Sequence, residues 1–191
     1  MAMAFLRIKP VRKRGGKTYY YVYEVESYKH KGKVRQRTLQ LLGPYVKLEK
    51  QKQSKFPINK ALQADSKKSL LREIFAHNLA NYGFIERGDD VWRLNDVMVN
   101  LRALRVFHST TNKDIYLSMN DKFFGTYTLK KAIKSDSTDL VEFVKSITAS
   151  GALDTEEEHD RKLLQVITSK FKPMEKMPES SFEEFAKKVG Y

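Results

Sequence analysis

Eleven lysines and arginines stand in the first 37 residues: Arg7, Lys9, Arg12, Lys13, Arg14, Lys17, Lys29, Lys31, Lys33, Arg35 and Arg37. Only Glu24 and Glu26 interrupt them. Their spacing is what points to chemistry. Arg12, Lys13, Arg14 and Lys17 flank the pair Gly15-Gly16, Lys29, Lys31 and Lys33 flank Gly32, and Arg35 and Arg37 fall two residues apart, on one side of any strand. Cations grouped at intervals along a regular element can follow a phosphate backbone and displace its condensed counterions. Arginine adds a planar fork of donors suited to bidentate pairing with guanine. The tyrosines between them could stack on an unpaired base, but Tyr20 and Tyr28 share a strand face with Glu24 and Glu26, so packing is the better reading for most of them.

Other chemistries find less support. Asp89, Asp90 and Asp96 lie in or near a turn, and Asp154, Glu156, Glu157, Glu158 and Asp160 crowd the start of one helix. Either set could be asked to hold magnesium in a nuclease, yet turn aspartates and acids in a first helical turn have ordinary structural explanations. His30, His77, His108 and His159 are isolated from one another at helical spacings, so no metal site is expected from them. A phosphate-binding glycine loop, a dinucleotide fingerprint and any cysteine are absent from the sequence, and no cofactor is expected.

The net charge of +13 is unevenly placed. Residues 1–60 hold sixteen Lys and Arg against Glu24, Glu26 and Glu49, which accounts for all of it; the remaining residues balance twenty bases with twenty acids. A positive field concentrated on one module attracts polyanions. The opening MAMAFLRIKP has too short an apolar run for a signal peptide, and no later run approaches a membrane span, so a cytoplasmic, nucleoid-associated protein is expected.

The elements that must position these cations read as an α+β protein. FLRIK, TYYYVYEVESY (Thr18 to Tyr28) and VRQRTLQLL (Val34 to Leu42), joined by glycine-bearing turns, predict a three-stranded antiparallel meander that stops at Gly43-Pro44. The middle strand is long enough to require a bulge or to project from the body. Alternation assigns Tyr19, Tyr21, Tyr23 and Val25 to its core face. Residues 46–63 read as a partly extended, lysine-rich arm whose Lys47, Lys50, Lys52, Lys55 and Lys60 extend the positive surface. A helix capped by Asp65 or Ser66 and stopped by Gly83 follows, then strand-like runs MVNLRALRVF, DIYLSM and FFGTYT. The end reads as helices over DLVEFVKSI, EEEHDRKLLQVITSKF and FEEFAKKV, with capping pairs Thr155–Glu158, Ser180–Glu183 and Ser181–Glu184. The division expected is a basic module at 1–45, an arm at 46–63 and a body at 64–191.

Residues Leu6-Arg7, Tyr19 to Tyr23, Glu26-Ser27-Tyr28, Gly32 to Arg37 and Leu42-Gly43 together resemble the N-terminal segment of insertion-sequence transposases of the DDE type. The resemblance covers residues 5–43. It implies a DNA-associated module from a mobile element, plasmid or virus. In that family the segment precedes a large catalytic domain with three metal-binding carboxylates, for which the remaining residues offer no recognisable set. The expectation is therefore a non-enzymatic protein that binds double-stranded DNA through the eleven cations above, ahead of RNA or single-stranded DNA. No membrane partner is expected, and a homodimer is compatible with the body's role. The alternatives are a small metal-dependent nuclease or strand-transfer enzyme, and an RNA-binding or assembly protein.

Overall fold

The structure, a computed structural model, describes residues 3–134 and 140–171. The fold is α+β. The expected meander is present: β1 (Met3–Arg12), β2 (Thr18–His30) and β3 (Lys33–Lys47) are antiparallel neighbours in that order. Dense Tyr and Val favour the pleated backbone of β2. The β2–β3 turn is a two-residue reversal with Lys31 and Gly32 both at positive φ, 49° and 74°, which matches the twist of the strands it joins.

Gly43-Pro44 does not end the third strand. β3 continues to Lys47 and changes partner there, pairing with β2 up to Pro44 and then, in parallel, with β8 (Tyr116–Met119) through Tyr45, Val46 and Lys47. β9 (Lys122–Gly125) completes a five-stranded sheet of order β1-β2-β3-β8-β9. The boundary expected at residue 45 thus falls inside a strand that ties the basic ribbon to the rest of the molecule.

β2 both bends and projects. Its pairing with β1 is regular throughout, whereas β3 carries an extra residue opposite the Val22–Tyr23 step and another opposite Glu24–Val25, at Leu42 and Leu39. Such bulges increase local twist. The assignment of one face of β2 to the core is corrected here: Val22 and Val25, on opposite faces, are both buried, while Tyr19 is 43% and Tyr20 51% exposed. Coiling explains it. Arg7 from β1 reaches Gln36 of β3 at 2.5 Å and Lys9 reaches Thr38 at 2.7 Å, so side chains of the two outer strands meet across β2 near Val25.

The arm is not simply extended. It contains a short helix, α1 (Ile58–Gln63), and is fastened to α2 (Lys67–Asn81). The amides of Gln51 and Lys52 donate to the Asn81 carbonyl, Asn81 Nδ2 donates to the Ser54 carbonyl at 2.8 Å, and His77 Nε2 lies 2.9 Å from that same oxygen. Phe56 is buried edge-on to the His77 ring. Ser66 caps α2 as expected, in a reciprocal pair with Ser69.

A second sheet, β4 (Ile85–Glu86), β5 (Val91–Leu94), β6 (Val97–Asn100) and β7 (Arg105–His108), is an antiparallel meander. The run MVNLRALRVF is thus two strands, split by a turn in which Leu104 adopts φ 55°. FFGTYT also divides. Its first half ends β9, and at Thr126 the chain enters α3 (Thr126–Lys134), with the Thr128 hydroxyl accepting the Gly125 amide at 2.9 Å. Two further helices, α4 (Leu140–Ala149) and α5 (Glu158–Lys170), pack Phe143, Ile147, Leu163 and Ile167 against Leu70, Ile74 and Phe75 of α2 and Phe124 of β9 in the main core. Each such side chain contributes ~1.5–3 kcal/mol by leaving water. The Thr155–Glu158 capping pair is corrected: Glu157 occupies the cap of α5 without a side-chain bond, and Asp160 instead reaches back to accept the Asp154 amide at 2.7 Å. The helix expected over FEEFAKKV, with Ser180–Glu183 and Ser181–Glu184, lies outside the described residues.

Candidate nucleic-acid interface

The eleven cations predicted from sequence separate into three groups on the ribbon. Arg12, Lys13, Arg14 and Lys17 cluster at the β1–β2 turn, all exposed. Lys29, Lys31, Lys33 and Arg35 cluster at the β2–β3 turn, also exposed, with His30 among them. The thirteen residues of β2 separate the two turns by ~40 Å at the usual rise per residue. The third group, Arg7, Lys9 and Arg37, lies between and is engaged within the ribbon.

That engagement is specific. Besides the Gln36 and Thr38 contacts, Lys9 Nζ sits 4.9 Å from the centre of the Tyr23 ring. Arg37 Nε donates to Glu26 Oε2 at 2.5 Å, and its guanidinium lies 5.7 Å from the Tyr28 ring. Gln40 donates to Glu24 at 2.8 Å. Burial is the main cause that pushes the Tyr116 phenol of β8 up to about 12, with the charge of Asp114 adding to it and that of Glu24 contributing least. The middle of the ribbon therefore sets Arg7, Lys9 and Arg37 against Glu24 and Glu26, whereas the cations at its two ends have no carboxylate among them. At the first end only Lys13 is laid against a ring, 4.7 Å from Tyr19. Among the described residues the side chains of Arg12, Arg14, Lys17, Lys29, Lys31, Lys33 and Arg35 have no hydrogen-bond, ion-pair or ring partner.

The fold also places the cations of the arm. Lys47, Lys50, Lys52, Lys55 and Lys60 are all exposed, and because the arm is pinned to α2 their backbone positions are fixed relative to the body. The signal was in the charge count, but the clasp that orders the arm depends on Asn81 and His77, far along the chain.

The carboxylates do not converge. Asp89 and Asp90 occupy the β4–β5 turn with φ of 50° and 61°, and Asp96 sits in the β5–β6 turn, its carbonyl accepting the Ser109 amide. Among the described residues no three His, Asp or Glu side chains are grouped as metal ligands would be. The histidines hold separate posts: His108 Nδ1 accepts the Thr110 amide, and His159 Nε2 lies 2.8 Å from the Phe56 carbonyl. Among the described residues no helix is long and apolar enough to cross a membrane.

Burial is the main cause that pushes the Asp160 carboxyl above the ordinary value, with Glu157 adding to it; the Asp154 amide, His159 and Lys50 pull the other way. A carboxyl raised in this way holds its proton more readily folded than unfolded, so stability falls as pH rises from the unfolded value through the folded one. Asp160→Asn, which keeps an oxygen for the Asp154 amide, should be more stable relative to the parent at pH 7 than at pH 4. Urea unfolding at the two pH values checks this, and a gain confined to pH 4 would contradict it.

No curated protein and no solved structure is significantly similar to this chain. Residues 6–77, from β1 through the pinned arm and into α2 as far as His77, match the family model described as IS1634 family transposase, N-terminal domain, so the transposase resemblance extends beyond the ribbon to the helix that fastens the arm.

Proposed function

We propose that this is a DNA-binding protein of a mobile genetic element, which grips duplex DNA by its phosphate backbone through the two cationic ends of the N-terminal ribbon. The observation that carries the reading is the location of the unpartnered cations. Within a ribbon that engages its central cations internally, four remain free-standing at one end and four are exposed at the other, and phosphate contact requires cations that are exposed and backed by a rigid element. The match of residues 6–77 to a transposase N-terminal domain supports a role in the handling of element DNA. The arm lysines extend the same surface toward the body. A cytoplasmic, nucleoid-associated location belongs to this reading. No catalytic step is assigned, because the carboxylates serve turns and a helix start.

The test is an electrophoretic shift with a duplex of ~30 base pairs over a range of salt. If six phosphates are neutralised, log affinity should fall against log salt with a slope of about −5. Affinity independent of salt, or equal preference for RNA and single strands, would refute duplex binding by this ribbon. Magnesium-dependent nicking of the same DNA that is lost on an Asp→Ala change would refute the non-enzymatic part.

A further inference from the structure

We infer that the β2–β3 end of the ribbon enters the major groove and that Arg35 reads a guanine there, while the β1–β2 turn holds phosphate. This rests on the duplex-DNA reading above and adds to it a division of labour and a specificity-determining residue.

The first support is shape. Beyond Ser27 the β2–β3 hairpin continues through three regular pairs to its turn: Tyr28 with Arg35, Lys29 with Val34, and His30 with Lys33. Every residue from Lys29 to Gln40 is exposed. A tight turn with two strands ~5 Å apart behind it suits a groove ~12 Å wide.

The second support is the state of the two neighbouring arginines. Cross-strand pairing puts Arg35 and Lys33, with His30, on the face that also carries Arg37. Arg37 is committed to Glu26 and the Tyr28 ring, whereas Arg35 has no side-chain partner among the described residues. Arg35 is also a strand residue whose backbone is set by a tight two-residue turn and a regular ladder. Bidentate base recognition needs that kind of placement, because the fork must meet two acceptors in one plane. At the other end Lys13, Arg14 and Lys17 lie in or beside the turn itself and Arg12 is the last residue of its strand. Such cations suit phosphate, which demands charge more than orientation.

A library of duplexes with a randomised core, retained by the full chain at moderate salt and then sequenced, tests this. Retained duplexes should be enriched in a short motif containing guanine. Arg35→Ala and Arg35→Lys should each reduce the preference for that guanine by roughly 5- to 100-fold, the lysine because it keeps charge but loses the fork. Arg12→Ala should weaken all sequences alike and make the salt slope shallower by about one. Failure to retain any duplex would overturn the DNA-binding reading together with this inference. Retention without a guanine preference, or a preference left intact by both Arg35 variants, would overturn the inference alone. So would a preference lost with Val34→Thr, since Val34 lies on the opposite face.

Discussion

Replacing Lys29, Lys31, Lys33 and Arg35 together with glutamine should reduce affinity for duplex DNA by about 10³-fold at ~0.1 M salt. Each phosphate contact contributes ~0.9 to the slope of log affinity against log salt, so loss of the three lysine contacts removes ~2.7 from the slope and a similar number of decades at a tenfold dilution from 1 M, to which loss of the Arg35 base contact adds at the preferred sequence. The four side chains are exposed and without partners among the described residues, so the change should leave folding nearly untouched. The necessary control removes the same charge elsewhere. Arg87, Lys113, Lys122 and Lys145 are exposed body residues, and their replacement lowers net charge equally while sparing the ribbon. If that control weakens binding as much, the effect is one of overall charge and the ribbon has no special place in it. The comparison is better made in the full chain than by truncation, because a cut at residue 45 severs β3 where it joins β8.

Gly43→Ala is expected to be the most damaging small substitution at the junction, costing about 3 kcal/mol and lowering the melting temperature by roughly 6–12 °C. Gly43 has φ +150°, and a Cβ there would lie 2.5 Å from the Asp114 carbonyl oxygen. An L residue is strained by the backbone alone, and here the obstacle is main chain that cannot rotate away. Relief would require β3 to move off the segment leading into β8, loosening the Tyr45–Lys47 pairing that attaches the ribbon to the body. Gly15→Ala separates the two contributions. Gly15 also has positive φ, +101°, but nothing lies within 4 Å of its added Cβ, so only the backbone term of ~1 kcal/mol applies. Urea unfolding of both variants checks the difference; equal costs would show that the contact with Asp114 is unimportant.

The two predictions rest on features that differ in how far the sequence exposes them. The cations of the distal turn were identifiable from residue types and the glycine beside them, because a hairpin is a local event and its register follows from the turn. The same holds for Ser66 at the start of α2 and for the Gly88–Asp90 turn, where short-range hydrogen bonds settle the outcome. Gly43 was also conspicuous, but its meaning was not. Beside proline it reads as a stop, whereas in the folded chain it lets one strand pass close to another some seventy residues away and change partner.

The amino-acid sequence alone determined the α+β class, the three strands of the ribbon, the concentration of all net charge in residues 1–60 and the likeness of residues 5–43 to transposase N-terminal segments. Tertiary structure decided which cations remain available. Arg37 looks equivalent to Arg35 in sequence, and Arg7 to Arg12, but Glu26 and Tyr28 occupy Arg37 and Gln36 occupies Arg7. It also decided that Val22 and Val25 are both buried, although alternation puts them on opposite faces and a strand with a single core face would bury only one. The physical reason is common to these cases. A side chain's propensity acts through its neighbours in sequence, but its partners are set by twist, bulges and strand pairing, and the two bulges that coil this ribbon lie on β3, where the alternation of β2 carries no trace of them.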